Sequence, residues 1–223
     1  MGFSWALSAL IFCLAVAQCL GQDCPAPQNE TCDASVLACC DKNFRANLKF
    51  DSSVCEGNPV YTDPFCYRRA IENLYITDNI LAVCDSYNLF KDCLGISMHS
   101  CMTYPWYLYH GYSTFIAHRN QILYSHLQFA CGAGLQSFMS NDCFGQTWNN
   151  SRSALEQCRV NFDSDYAQGG CYAAGNLLSC VQRPFLACSN EAAWWMCEYS
   201  RVTSHIFFPQ CRGSCITNTP VAK

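Results

Sequence analysis

Thr77 to Gly95 reads "TDNILAVCDSYNLFKDCLG". Apolar Ile80, Leu81, Cys84, Tyr87 and Leu94 recur at helical intervals, Thr77 or Asp78 can cap the start, and Gly95 can stop the end. Cys84 and Cys93 lie nine residues apart, a rotation of about 900° that puts them on opposite faces of the helix. They cannot bridge each other, so each must reach a different neighbour and the helix is clamped between two partners. The spacing returns at Cys171 and Cys180 in "CYAAGNLLSC", and each pair is followed eight residues on by another cysteine, Cys101 and Cys188. Two readings stay open, an internal repeat or a coincidence of gaps.

The remaining chain extends the helical pattern. "TCDASVLACCDKNFRANL" offers Thr31 or Asp33 as a cap and sets Val36, Leu37, Cys40, Phe44 and Leu48 on one face. "DPFCYRRAIENLY" places Pro64 in a first turn behind Asp63. Further helices are expected in "NQILYSHLQFACGAGLQSFM", "SRSALEQCRV", "DYAQGGCYAAGNLLSCV" and "NEAAWWMCEYSRVTSHIFF", the last closed by Pro209. Alternating runs of strand length are scarce. The expected fold is all-α, a disulfide-rich helical array in two covalently linked halves, residues 22–145 and 146–223.

The first 21 residues, "MGFSWALSALIFCLAVAQCLG", contain an apolar run from Ala6 to Val16 that is too short to cross a bilayer and has the length of a secretory leader. The n-region carries no Lys or Arg. Cleavage after Ala17 would keep Cys19, whereas cleavage after Gly21 removes Cys13 and Cys19 and leaves 18 of the 20 cysteines. Complete pairing in an oxidising compartment needs an even number. The expected mature chain therefore begins at Gln22, has 202 of the 223 residues, and is secreted, extracellular and without a membrane span. Its expected disulfide cysteines are Cys24, Cys32, Cys39, Cys40, Cys55, Cys66, Cys84, Cys93, Cys101, Cys131, Cys143, Cys158, Cys171, Cys180, Cys188, Cys197, Cys211 and Cys215. Nine of them precede residue 102 and nine follow it; a boundary moved past Cys143 gives eleven and seven. Both splits are odd, so at least one bridge must join the halves. A chain of this length can build its own core, and a dense set of bridges adds resistance to local opening and proteolysis. Sequons at Asn29 and Asn149 fit the same compartment as glycosylation sites.

The formal net charge is −4, and the 13 basic residues are spread singly apart from Arg68 and Arg69. That pattern gives no footprint for nucleic acid, although sequence order leaves room for a charge cluster assembled from distant segments.

The segments "VCDSYNLFKDCLGISMHSC", "LQFACGAGLQSFMSNDC", "CVQRPFLACSNEAAWWMCEYSRV" and "FFPQC", spanning Cys39 to Cys215, resemble nematode secreted domains. These are the chondroitin proteoglycan 4 domain and a related cysteine-rich domain of unknown function (T20D4-type). "EAAWWMCE" is the sharpest part of the match. The resemblance implies a secreted helical disulfide domain of matrix, eggshell or host-defence settings, with no catalytic residues to carry over. No Ser-Gly dipeptide is present, so attachment of a chondroitin chain is not expected.

Motifs for chemistry are sparse. A cysteine nucleophile needs a free thiolate, and these cysteines are expected in bridges. Cys39-Cys40 and Cys211-x-x-x-Cys215 lack the spacing of a structural zinc site. No Gly-x-Ser-x-Gly elbow occurs, "ACCDKN" lacks the His-Asp of secreted phospholipases, and "DSDYAQGGCYAA" has Gln168 and Ala174 where a calcium loop needs Gly and Glu. Gly132 and Gly134 predict close packing beside Cys131, and adjacent Trp194 and Trp195 predict that only one ring is fully buried. "YPWYLYHGYSTF" gathers Tyr104, Trp106, Tyr107, Tyr109, Tyr112 and Phe115 between the halves. Tyr104, Trp106, Tyr107, Tyr109 and Tyr112 are the candidate binding residues for a glycan or an extracellular protein, or else they fill the junction core. The expected function is a non-catalytic secreted interaction, matrix or defence protein without metal or cofactor. The alternatives are an extracellular carrier of a small apolar ligand and a secreted hydrolase, of which only the hydrolase predicts a pocket with convergent His and carboxylate groups.

Overall fold

The computed structural model of the chain describes residues 23–77, 79–165, 170–211 and 213–215. The leader, the Gln22 start, Cys13, Cys19, Asp78 and Gln168 lie outside the described residues. No strand occurs among those described, and ten helices follow one another: α1 (Ala34–Asn47), α2 (Pro64–Ile76), α3 (Ile80–Leu94), α4 (Met98–Cys101), α5 (Tyr104–Tyr109), α6 (Thr114–Ala130), α7 (Leu135–Met139), α8 (Phe144–Asp165), α9 (Gly170–Gln182) and α10 (Asn190–Phe207).

Local signals set most boundaries. Asp33, rather than Thr31, caps α1 by accepting from the Ser35 and Val36 amides; Asp63 accepts from the Cys66 amide with Pro64 in the first turn of α2; Ser113 and Ser189 cap α6 and α10. Thr77 ends α2 instead of opening α3, whose N-cap is Asn79. Gly95 stops α3 at φ 47°. The buried stripe of α3 runs through Val83, Tyr87, Phe90 and Leu94, and Leu81, expected on it, is 51% exposed. Ile80 already occupies the inward direction at that turn, and the next residue is rotated by about 100°.

All eighteen cysteines among the described residues are paired. Cys93 reaches back to Cys40 on α1 and Cys84 reaches forward to Cys131 at the end of α6, so α3 is clamped on opposite faces. Cys101 closes an outer bridge to Cys32. The second set has the same topology: Cys180 goes back to Cys158 on α8, Cys188 back to Cys143, and Cys171 forward to Cys211. A twice-stapled helix pair with a third cysteine reaching forward thus occurs in both halves, and the first copy carries α2 and its Cys55–Cys66 bridge as an insertion. Cys84–Cys131 joins the two groups of nine cysteines; with the boundary after Cys143, Cys143–Cys188 does. The parity expectation is met. The expected boundary at 145/146 falls inside the first turn of α8, and one apolar core crosses it, from Leu37 and Phe90 to Trp148 and Trp195.

The chain between α1 and α2 turns through three successive left-handed residues, Cys55 (φ 54°), Glu56 (φ 57°) and Gly57 (φ 70°). Buried Asp41 holds this loop: it accepts from the Val60 amide and from Arg45 Nε, both at 2.8 Å, and Arg45 donates to the Gly57 carbonyl. Burial pushes the Asp41 carboxyl up to about 6, against the partial opposition of Arg45. In the unfolded chain the carboxyl ionises at its ordinary value, so it releases its proton first and stability falls as pH rises between the two values. At full effect the loss is about 3 kcal/mol. In chemical denaturation at pH 4 and pH 7, Asp41→Asn should remove this slope; a difference between variant and wild type that does not change with pH would refute it.

Candidate functional site

The expected aromatic site is divided by the fold. Tyr107 is fully buried (0% exposed). Tyr112 is half-buried, edge-on to Tyr61 and Tyr107; Trp106 donates its indole N–H to the Cys32 carbonyl and stacks on His110; Tyr104 stacks on His118 at 4.4 Å. Tyr109, at 88% exposed, alone of the five projects from the surface. The short helix α5 explains the division, because adjacent helical residues point in directions about 100° apart. Tyr107→Ala should therefore destabilise the protein by about 3–5 kcal/mol through the cavity it leaves, whereas Tyr109→Ala should stay within about 0.5 kcal/mol. Comparable midpoints for the two variants would contradict this placement.

Asn29 and Asn149 are both exposed, Asn29 before α1 and Asn149 on α8. The sulfurs of Cys24, Cys40 and Cys93 lie within 4.8 Å of one another, but they belong to the Cys24–Cys39 and Cys40–Cys93 bridges and offer no thiolate to a metal.

The main convergence of polar groups is one that sequence order hides. Between α2, α6, α8 and α10 lies a cleft of about 250 Å³. Arg68 and Arg69 enter from α2, Arg119 and His126 from α6, Glu156, Arg159 and Asp163 from α8, and Ser200 and Thr203 from α10. At its base Glu72 accepts from Arg159 at 2.8 Å, from Arg68 at 3.3 Å and from the Tyr199 hydroxyl at 3.2 Å. Glu156 sits above and takes bonds from Arg68, Arg69 and Arg159. Burial opposes ionisation of Glu156, but the hydrogen bond from Arg69 and the charge of Arg68 outweigh it and hold the carboxyl down at about 2. Burial likewise opposes the charge on Arg68, and Glu72 and Glu156 more than restore it.

His126 is 4% exposed, stacks on Tyr199 at 3.9 Å and places Nε2 3.0 Å from the Thr203 hydroxyl. Its Nδ1 makes no hydrogen bond of ordinary geometry. Burial first, then the charges of Arg159, Arg68 and Arg119, push its pKa well below the usual value, with the Tyr199 backbone acting weakly the other way. The ring is therefore neutral at physiological pH, and its contribution to stability is lost as pH falls below about 6.5. A Thr–His pair is one part of a nucleophilic site, but the orienting carboxylate that such a site needs is missing from His126 among the described residues. The carboxylates are engaged by arginines instead. Arg68, Arg69 and Arg159 hold the two carboxylates Glu72 and Glu156 in their ion pairs.

Arg119 has a different environment. Its guanidinium lies 4.5 Å from the Phe65 ring and 5.0 Å from Phe115, rings that stack on each other, and among the described residues only Nη2 is hydrogen-bonded, to Asp163. Its Nε is buried without a partner among the described residues.

The signal for this cleft is present in the sequence as helical spacing: Arg68 and Glu72 four apart, Glu156, Arg159 and Asp163 at three and four, Arg119 and His126 two turns apart. Read singly, each is an ordinary charged position. The fold and the cleft define a class, an all-α protein with nine disulfides among its described residues and a charged interhelical cleft. No protein-family model, curated protein or solved structure matches the chain.

Proposed function

We propose that this is a secreted, non-catalytic binding protein acting outside the cell in an interaction, matrix or defence role, and a relative of the nematode cysteine-rich domains it resembles. The observation that supports it most is the closure of all eighteen described cysteines into nine bridges spread over the whole helix array, a device suited to an oxidising, protease-rich medium. No helix among the described residues is long and apolar enough to cross a membrane, and both sequons are exposed.

Intact mass of the exported protein, taken before and after alkylation in denaturant without reductant, tests this reading. The expected species starts at Gln22, carries glycan at Asn29 or Asn149 and takes up no alkylating agent. Retention inside the cell, or an alkylated Cys19, would overturn it. A second reading, carriage of a small ligand, is favoured by the cleft, whose four arginines make it unlike the apolar cavity a hydrocarbon cargo needs.

A further inference from the structure

We propose that the cleft among α2, α6, α8 and α10 binds a small amphipathic monoanion, a carboxylate carrying a compact apolar body, anchored by Arg119. The inference concerns a ligand class the extracellular role does not specify, and it does not depend on secretion.

The charges of the cleft do not balance. Arg68, Arg69, Arg119 and Arg159 face three carboxylates, those of Glu72, Glu156 and Asp163. One positive charge is left over, and His126 adds none. In a chain of formal net charge −4, this is a local site that favours an anion over a neutral or cationic ligand.

The excess lies with Arg68, Arg69 and Arg159, which share two carboxylates, whereas Arg119 pairs with Asp163 and is the guanidinium with donors to spare beside the apolar wall. Arg68 and Arg159 each bond to both Glu72 and Glu156, so both Nη groups of each are engaged. Arg119 gives one donor to Asp163 at the rim, which is 39% exposed, and its own side chain is only 11% exposed. A half-satisfied guanidinium in such surroundings gains most from a second carboxylate, because charge-assisted bonds strengthen where water is excluded. Phe65 and Phe115 hold its plane in position, so little rotamer freedom is lost when a ligand arrives.

The remaining walls set the ligand's other end. Ile122, Leu123, Phe162 and Leu177 line the same cavity, and they offer nothing to a fully hydrated ion such as sulfate. The volume of about 250 Å³ lies just below the usual range for drug-sized ligands. A short-chain or single-ring carboxylate fits it.

The test uses the full, oxidised chain. Phenylacetate and octanoate are titrated calorimetrically at low salt beside neutral phenylacetamide and inorganic sulfate. The carboxylates should bind at least tenfold more tightly than the amide, the difference expected for one charge-assisted contact. Arg119→Gln should weaken phenylacetate by about tenfold, and Lys91→Gln, remote on α3, should leave it unchanged. If Arg119→Gln fails to fold, the carboxylate–amide comparison on the natural chain decides, together with Arg69→Gln at the rim, which should weaken the carboxylates and not the amide. Equal binding of amide and carboxylate, displacement of phenylacetate by equimolar sulfate, or no saturable binding of either carboxylate would overturn the proposal. Each of these outcomes leaves the mass test of the secreted, fully bridged protein untouched.

Discussion

Glu72→Ala should lower the free energy of unfolding by about 3–5 kcal/mol, the cost of removing one partner from a buried ion pair. Glu72 is the point at which three helices meet electrostatically: it receives Arg68 from its own helix, Arg159 from α8 and Tyr199 from α10, with a side chain 6% exposed. Without it, Arg68, itself 9% exposed, retains only Glu156, which stands partly in solvent, and the Tyr199 hydroxyl loses its acceptor. Glu72→Gln keeps an acceptor oxygen and should cost less. The check is the denaturation midpoint at unchanged m-value, with a double-mutant cycle against Arg159→Met. A loss below about 1 kcal/mol for Glu72→Ala would mean that the pairs behave like surface salt bridges.

Trp195→Ala should cost a similar amount by a different route. Its ring is fully buried, lies parallel to Tyr199 at 5.0 Å, meets Phe144 edge-on at 5.0 Å and touches Phe129, Phe138 and Trp148. Truncation opens a cavity worth about 3–5 kcal/mol. It also removes the indole N–H that donates to the Gly134 carbonyl at 2.8 Å, a bond worth about 0.5–1.5 kcal/mol, while that carbonyl keeps the Phe138 amide at 3.0 Å. Trp195→Phe keeps most of the ring and loses the donor, so the two contributions separate. Trp194→Ala, one residue away and half-exposed, is the control and should cost clearly less. If the two alanine variants proved equal, the assignment of Trp195 as the centre of the aromatic core would fail.

The Trp195–Gly134 contact shows how far the sequence could be read. Glycines beside Cys131 predict a close neighbour, and a Cβ at Gly134 would lie 2.6 Å from Trp195 Nε1 and 2.9 Å from Phe129 Cε1. The need for space was legible, and its cause, a tryptophan 61 residues away, was not. The expected single helix through "NQILYSHLQFACGAGLQSFM" is divided for the same reason: α6 ends at Ala130, and α7 starts only at Leu135. The aromatic segment 104–115 was equally ambiguous, because composition does not distinguish Tyr107 in the core from Tyr109 in solvent.

By itself the sequence determined the all-α class and most of the longer helices, the Asp63–Pro64 start of α2 and the Gly95 stop of α3, the burial of one tryptophan of two, the opposite faces of Cys84 and Cys93, and the need for a bridge between the halves. These follow from the period of the helix and from the parity of a cysteine count, both of which are local or arithmetical. The tertiary structure decided which cysteine meets which, and it assembled the cleft. Glu72 and Arg159 are 87 residues apart, Glu72 and Tyr199 are 127, and His126 and Thr203 are 77. Each occupies an unremarkable position on its own amphipathic helix. Only the packing of α2, α6, α8 and α10 around one core brings these groups within hydrogen-bonding distance, and only there do four scattered arginines become a single cationic site.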